Sequence, residues 1–553
     1  MKLKNVLLIP LLLLAMSVKA QEGAISRPKL VVGVVIDQMR WDYLYRYYNR
    51  YGDGGFKRLL GEGATCENTM LPYIPSYTAV GHTCIYTGSV PAIDGITGNT
   101  MVDQKTGKSF YCTDDANVRP IGTDGKDGLQ SPHNLWVSTV GDELRLATND
   151  HSKVIGISLK DRASILPAGR SANAAYWFDS KTGHFITSSY YMDKLPEWLD
   201  AFNAKGNVES LMSKPWNTMY DINTYTQSYP DDNNYERPYF KGERPVFPVD
   251  LPRLLKEQGY ATIKATPMGN TLTFEMAEAA IDGEHLGSGD YTDFLAVSCS
   301  STDYVGHQFG VNAIETEDTY LRLDKDLGNF LDYLDEKVGK GNYTLFLTAD
   351  HGAAHNYNLL KDRKLSAGAY DMAADYQKLD SFLVAKFQAS DLVRNLDNYQ
   401  INLNYDKIKS NGLDVNKVKE AAIECAKTFD DVLYVLDQTK TGSTALPEGM
   451  QQLIANSYNP ARSGEIQIMV KPGYYEKEAG DDELGTTHGT WAKYDLHIPL
   501  LFYGWGIKQG QLNREVHMTD IAPTVAALLH IQMPNGCVGN AIPEVLGAAS
   551  LDK

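Results

Sequence analysis

The chain has 553 residues, 43% of them hydrophobic, and carries 52 basic against 69 acidic side chains for a formal net charge of −17. Such a length can bury a large core. The charge argues against nucleic acid and anionic membrane surfaces as partners, because both are gripped by a basic face, and an anionic ligand needs positive charge placed locally.

At the N-terminus, Lys2 and Lys4 precede an apolar run from Val6 to Val18, and Val18-Lys19-Ala20 gives a small–x–small cleavage pattern. The run is interrupted by Pro10 and is short for a bilayer, and no later stretch is long and apolar enough to insert stably. Residues 1–20 therefore read as a signal peptide, and the mature chain as periplasmic or secreted. Its removal takes three lysines and brings the net charge to −20. No cysteine stands directly after the cut, so no lipid anchor is indicated. The six cysteines lack a paired Cys-x-x-Cys spacing, which argues against a cysteine zinc site, and their spacing assigns no disulfide. Many of the 34 tyrosines fall in segments that read as surface loops.

Short apolar runs then recur, each ending in polar residues. Residues 30–36 (LVVGVVI) end in Asp37, and residues 153–159 (KVIGISL) end in Lys160-Asp161-Arg162. Residues 294–299 lead into Ser301-Thr302-Asp303-Tyr304-Val305-Gly306-His307, and residues 343–349 (YTLFLTA) end in Asp350-His351-Gly352. Runs this short and apolar predict strands buried on both faces, as in a parallel sheet. Between them Tyr320, Leu323, Leu327, Phe330, Leu331, Leu334 and Val338 recur at helical spacing before Gly339. Residues 497–503 predict a further strand and 519–529 a further helix. The alternation predicts an α/β fold, a mostly parallel sheet with helices on both faces, whose ligand crevice lies beyond the strands' carboxyl ends. Segments of about 165–250 and 356–475 break the pattern and read as inserted caps within one discontinuous catalytic domain spanning 21–553. The second holds a helix at 415–429 and strands at 432–436 and 466–470.

Asp37, Asp303, His307, Asp350 and His351 are expected in loops after these strands, and His488 follows later in Gly485-Thr486-Thr487-His488-Gly489. Mixed carboxylates and imidazoles suit zinc, and six such groups suit two ions better than one tetrahedral ion. Two ions roughly 3.5–4 Å apart can hold the attacking and leaving oxygens of an in-line displacement. Singly the signals are weaker: Asp37 reads equally as a helix N-cap, and any loop can carry an Asp and a His four apart.

Thr78, in Pro75-Ser76-Tyr77-Thr78-Ala79-Val80-Gly81-His82, opens a short helix. A hydroxyl there meets free backbone N–H groups, which suits phosphate binding, and metal coordination would activate it. The competing reading is a capping threonine, and Ser76 is the neighbouring rival nucleophile. His82, His355, His497, His517 and His530 read as structural, with His355 near enough to residues 350–351 to support a ligand. Lys160-Asp161-Arg162 by itself reads as a solvated turn with internal ion pairs.

With these residues in order, the chain resembles the alkaline phosphatase superfamily. Over residues of about 28–545 it is similar to the phosphate-irrepressible bacterial alkaline phosphatases, in VVGVVIDQMRWDYLYRYY, YTAVGHTCIYTGSVPAIDGITGN, SLKDRASILPAG, STDYVGH, TADHGAAH and HMTDIAPTVAALL. The resemblance implies an alkaline-phosphatase-like sheet and two Zn²⁺, one on Asp37, Thr78, Asp350 and His351, the other on Asp303, His307 and His488. It implies that Thr78 attacks phosphorus to give a phosphothreonine that is then hydrolysed. It further implies that Asn99, Lys160 and Arg162 contact the phosphoryl oxygens of small phosphate monoesters. A phosphodiesterase or nucleotide pyrophosphatase would share the metals and the threonine, and Lys160 and Arg162 are what favour a monoester. A head-group transferase lacks its usual membrane segments here, and a non-catalytic metal- or phosphate-binding protein is the reading from another class. None of the cysteines has a sulfatase modification context, and the phosphoglycerate mutases of the superfamily use serine and are not normally exported.

Overall fold

The computed structural model describes residues 25–443, 445–476 and 483–547, so the expected signal peptide lies outside the described residues. Among them, eleven strands form the main sheet: β1 (Leu30–Ile36), β2 (Ala64–Met70), β3 (Pro120–Ile121), β4 (Val154–Ser158), β5 (Ala174–Asp179), β6 (His184–Ser188), β7 (Asp293–Cys299), β8 (Tyr343–Thr348), β9 (His497–Ile498), β10 (Leu500–Gly504) and β11 (Gly510–His517). Their spatial order is β9-β2-β10-β8-β1-β7-β4-β5-β6-β3, with β11 beside β2. The central five, β8-β1-β7-β4-β5, are mutually parallel, and antiparallel pairs flank them on both sides.

Every residue of β1, β4, β7 and β8 is buried, because helices cover both faces. On one face pack α1 (Thr78–Thr87), α2 (Asp161–Ala168) and α6 (Ile521–Leu529); on the other pack α3 (Met268–Glu284), α4 (Ser301–Phe309) and α5 (Ile314–Leu334). Register brings the strand ends level: Val35 of β1 lies opposite both Thr348 of β8 and Ser298 of β7, and Ser298 lies opposite Ser158 of β4. Asp350, Asp37, Asp303 and Lys160 thus follow four adjacent parallel strands at one edge of the sheet.

Four features differ from the sequence reading. Residues 497–503 form two strands, because Pro499 has no N–H to give the ladder. The first part of the 165–250 segment supplies β5 and β6, so the main sheet extends further than expected; residues 189–250 carry none of its strands. Asp303 and His307 lie on α4, which begins almost directly after β7, instead of in a loop. Tyrosine is also a core residue here: Tyr43, Tyr47, Tyr73, Tyr86, Tyr176 and Tyr320 are fully buried.

Residues 356–475 carry their own antiparallel sheet of Val393–Asp397, Gln400–Leu403, Ile466–Val470 and Val432–Asp437 in that order. Helices Met372–Phe387 and Val415–Ala426 close a separate apolar core on it. Its Asn398 Nδ2 donates to Thr100 O and its Arg462 to Gly95 O, which fastens it beside the segment that follows α1.

Helix α1 crosses the end of β8 at Gly81. A Cβ there would lie 2.5 Å from the Asp350 carbonyl oxygen and 2.6 Å from the Asp350 Cβ. Alanine favours helices over glycine by about 0.8–1 kcal/mol, but overpacking against fixed backbone costs about 1–3 kcal/mol and wins. Gly81→Ala should therefore lower unfolding free energy in a urea titration of the metal-free protein. A neutral or stabilising result would show that the crossing is loose.

Candidate active site

The four strand ends converge on one buried cluster. Asp37 and Asp350 are wholly buried and Asp303 nearly so. Lys160 Nζ lies 2.6 Å from Asp37 Oδ2 and 2.6 Å from Asp303 Oδ2, and 3.5 Å from Thr78 Oγ1. Burial, then the neighbouring Asp350, pushes the Asp37 carboxyl well above its ordinary range, with Lys160 pulling the other way. Burial also opposes ionisation of Asp303, yet His307 and Lys160 beside it hold its carboxyl well below the usual range. At Asp350 the same opposition from burial is overcome by His351 and His82.

Three imidazoles face these carboxylates in one tautomeric pattern. Nδ1 of His307 lies 2.9 Å from Thr486 O, that of His351 3.0 Å from Gly352 O, and that of His488 2.6 Å from Ser76 O. A carbonyl can only accept, so each Nδ1 carries a proton, which leaves Nε2 as the nitrogen able to ligate a metal ion. Those Nε2 atoms turn inward: His307 to 3.1 Å and His488 to 3.6 Å from Asp303 Oδ1, His351 to 3.6 Å from Asp37 Oδ1 and 3.3 Å from Asp350 Oδ2. The His351 and His488 rings stack with centroids 3.5 Å apart, and burial followed by this neighbour holds His488 well below its ordinary pKa.

This donor set fits divalent metal ions. Asp37 Oδ1, Asp350 Oδ2 and His351 Nε2 are buried without a hydrogen-bond partner, which is costly unless something else satisfies them. Two groups of ligand atoms lie close enough to share an ion, Asp303 with His307 and His488, and Asp37 with Asp303 and His351. Carboxylate oxygen with neutral imidazole nitrogen is zinc-type ligation.

Thr78 is the first residue of α1, with an extended residue, Tyr77, before it. Its neighbour Ala79 donates its N–H to Asn99 Oδ1 at 3.0 Å, which orients the Asn99 amide NH₂ towards other acceptors. Arg162, near enough for its charge to oppose that of Lys160, donates from Nη1 to Tyr111 Oη at 2.9 Å; that phenol donates in turn to Asp161 at 2.7 Å. Ser76 is occupied elsewhere: its hydroxyl accepts from Gly489 N–H and donates to Thr490 O. It ties the His488 loop to α1. His82 bonds Thr78 O and Ser298 Oγ and touches Asp350 at 3.3 Å, so both ring nitrogens are engaged. His355 bonds Asn312.

Two supporting residues escaped the sequence reading. Tyr111, which holds Arg162, lies far away in a short hairpin with no local signature. Gln38 follows Asp37 directly, with a left-handed φ of 65°, donating Nε2–H to Asp303 Oδ1 at 2.7 Å and its backbone N–H to Asp350 Oδ1 at 3.1 Å. Its place beside Asp37 was the available signal. Losing such an outer hydrogen bond costs metal affinity about 10–100-fold. Gln38→Leu, which keeps the volume and removes the amide donor, should show that loss in a chelator competition titration; unchanged affinity would mean that Asp303 is oriented without it.

The type I phosphodiesterase / nucleotide pyrophosphatase family matches residues 31–491. A Myroides odoratus protein named calcium-transporting ATPase is 54% identical over 525 residues, 94% of this chain and 95% of the relative. The alkaline phosphatase PafA of Elizabethkingia meningoseptica is 50% identical over 531 residues, 95% of this chain and 96% of the relative. A crystal structure of wild-type PafA superposes with a TM-score of 0.92 at 49% identity, covering 95% of this chain and 100% of that one. The chain belongs to the type I phosphodiesterase / nucleotide pyrophosphatase family and, within it, to the alkaline phosphatases of the PafA type.

Proposed function

We propose that the protein is an exported two-zinc alkaline phosphatase that hydrolyses phosphate monoesters through a phosphothreonine intermediate. The observation that supports this most is the position of Lys160, in reach of two carboxylates and of Thr78 Oγ1 at once. A quadruple variant of PafA, replaced at one threonine, one asparagine, one lysine and one arginine, has also been crystallised. Its threonine–asparagine and lysine–arginine spacings equal those of Thr78–Asn99 and Lys160–Arg162.

Asp37, Thr78, Asp350 and His351 would hold one zinc, and Asp303, His307 and His488 the other. Bound there, the ions supply Lewis-acid polarisation of phosphoryl oxygens and ease deprotonation of a hydroxyl. Thr78 Oγ1 attacks phosphorus, the bond to the ester oxygen breaks, and that oxygen leaves with the electron pair. Asn99, Lys160 and Arg162 hold the non-bridging oxygens, Arg162 through its planar donor fork and Lys160 as a point charge. Water then hydrolyses the phosphothreonine, releasing inorganic phosphate and restoring the hydroxyl.

A monoester presents a dianionic group, for which two buried cations are matched; a diester offers one charge fewer and a second organic arm. The ATPase name of the Myroides relative fits the same chemistry, since the terminal phosphoryl group of ATP is likewise dianionic. No helix among the described residues is long and apolar enough to cross a membrane.

Matched aryl monoester and diester substrates test the reading. Wild type should prefer the monoester in kcat/KM, and Lys160→Ala/Arg162→Ala should lose at least about a hundredfold of monoester activity, the scale of losing a preorganised charge partner, while diester turnover falls far less. A wild-type preference for the diester would favour the phosphodiesterase reading instead. N-terminal sequencing of protein from the periplasm or medium should begin at Gln21; an intact Met1 there would contradict export by cleavage.

A further inference from the structure

We infer that Lys264 and Tyr304 form a second anion subsite beside the phosphoryl site, which takes a further phosphate on the leaving group and makes phosphoanhydrides such as nucleoside triphosphates favoured substrates. The inference rests on the monoesterase reading above and extends it to a substrate class.

Tyr304 follows Asp303 on α4 and is half-buried. Its ring is shared by two ammonium groups, Lys160 Nζ at 5.0 Å from the centroid and Lys264 Nζ at 5.8 Å. Lys264 sits on the short helix Tyr260–Ala265, which packs against α4, and also lies 5.9 Å from the centroid of Phe178. It is half-buried between these rings and forms no ion pair among the described residues, although acids outnumber bases 69 to 52 in the chain. Lys160 lies against Asp37 and Asp303, and Arg162 against the Tyr111–Asp161 pair. With those two assigned to the transferred phosphoryl group, Lys264 is the further cation beside the site that can meet a second phosphate. The faces of Tyr304 and Phe178 partly offset the cost of holding an unpaired ammonium there.

In a phosphoanhydride the transferred and retained phosphates share one bridging oxygen. When Thr78 Oγ1 bonds to the terminal phosphorus, the bond from that phosphorus to the bridging oxygen breaks. The electron pair stays with the departing diphosphate, whose charge rises by one. Lys160 and Arg162 already compensate the transferred group, and Lys264 offsets the charge on the leaving one. A phenolate leaving group also gains one charge but carries no retained phosphate for Lys264 to meet.

The test compares ATP with phenyl phosphate on the zinc-loaded enzyme. Lys264→Met should lower the ratio of kcat/KM for ATP to that for phenyl phosphate about tenfold, Lys264→Arg should restore most of it, and added salt should narrow the wild-type advantage. An unchanged ratio in Lys264→Met overturns the subsite, as does a fall that neither arginine nor salt affects, which would mark a packing role. Failure of wild type to turn over phenyl phosphate would count against the monoesterase reading instead. In that case calorimetry with imidodiphosphate still decides the subsite: about tenfold weaker binding in Lys264→Met supports it, and equal binding refutes it.

Discussion

Three buried carboxylates, Asp37, Asp303 and Asp350, with a single lysine among them, set the terms for everything else in this structure. Buried carboxylates are costly unless paired, and one ammonium cannot neutralise three. The excess is visible in Asp37, driven well above its ordinary pKa by burial and by Asp350 despite the nearby Lys160. The imidazoles beside Asp303 and Asp350 help to hold those two carboxyls low, and Asp37 is left with the excess. Such a cluster calls for added cations, and the unpartnered oxygens and nitrogen show where the demand is greatest.

The fold answers this constraint through register. Four adjacent parallel strands end level, so each needs to run only a few residues further to place its polar residue at the crevice. The strand edge is stiff because its residues are buried on both faces. Across this edge lies the start of α1, held to within van der Waals limits of Asp350 at Gly81 and tied to the His488 loop through Ser76. A late segment of the chain thereby joins residues separated from it by hundreds of positions.

How much of this could be read from sequence depended on the kind of signal. Strands β1, β4, β7 and β8 were legible because doubly buried strands are continuous apolar runs, and their polar ends pointed to the crevice. Pro499 was equally readable as a strand breaker, but the apolar residues on either side masked it. Strands β5 and β6 were hidden in a segment whose later tyrosines, asparagines and prolines dominate its composition. Asp303 and His307 gave no helical signal, since STDYVGHQF has polar and small residues where an amphipathic helix would show a stripe; on α4 their spacing of one turn puts both on one face. His488 gave only a weak local signal within Gly485-Thr486-Thr487-His488-Gly489, and its share in a particular ion was implied only by the resemblance. Gln38 and Tyr111 act through hydrogen bonds to other site residues, a role that side-chain type alone does not reveal.

The central claim is that these groups serve one nucleophile, Thr78. Acid quenching of the enzyme during turnover of a monoester, followed by mass spectrometry of the peptide holding residues 76–82, tests it most directly. The account predicts one phosphoryl group on Thr78, absent from Thr78→Ala. Phosphate on Ser76, or full turnover by Thr78→Ala, would contradict it.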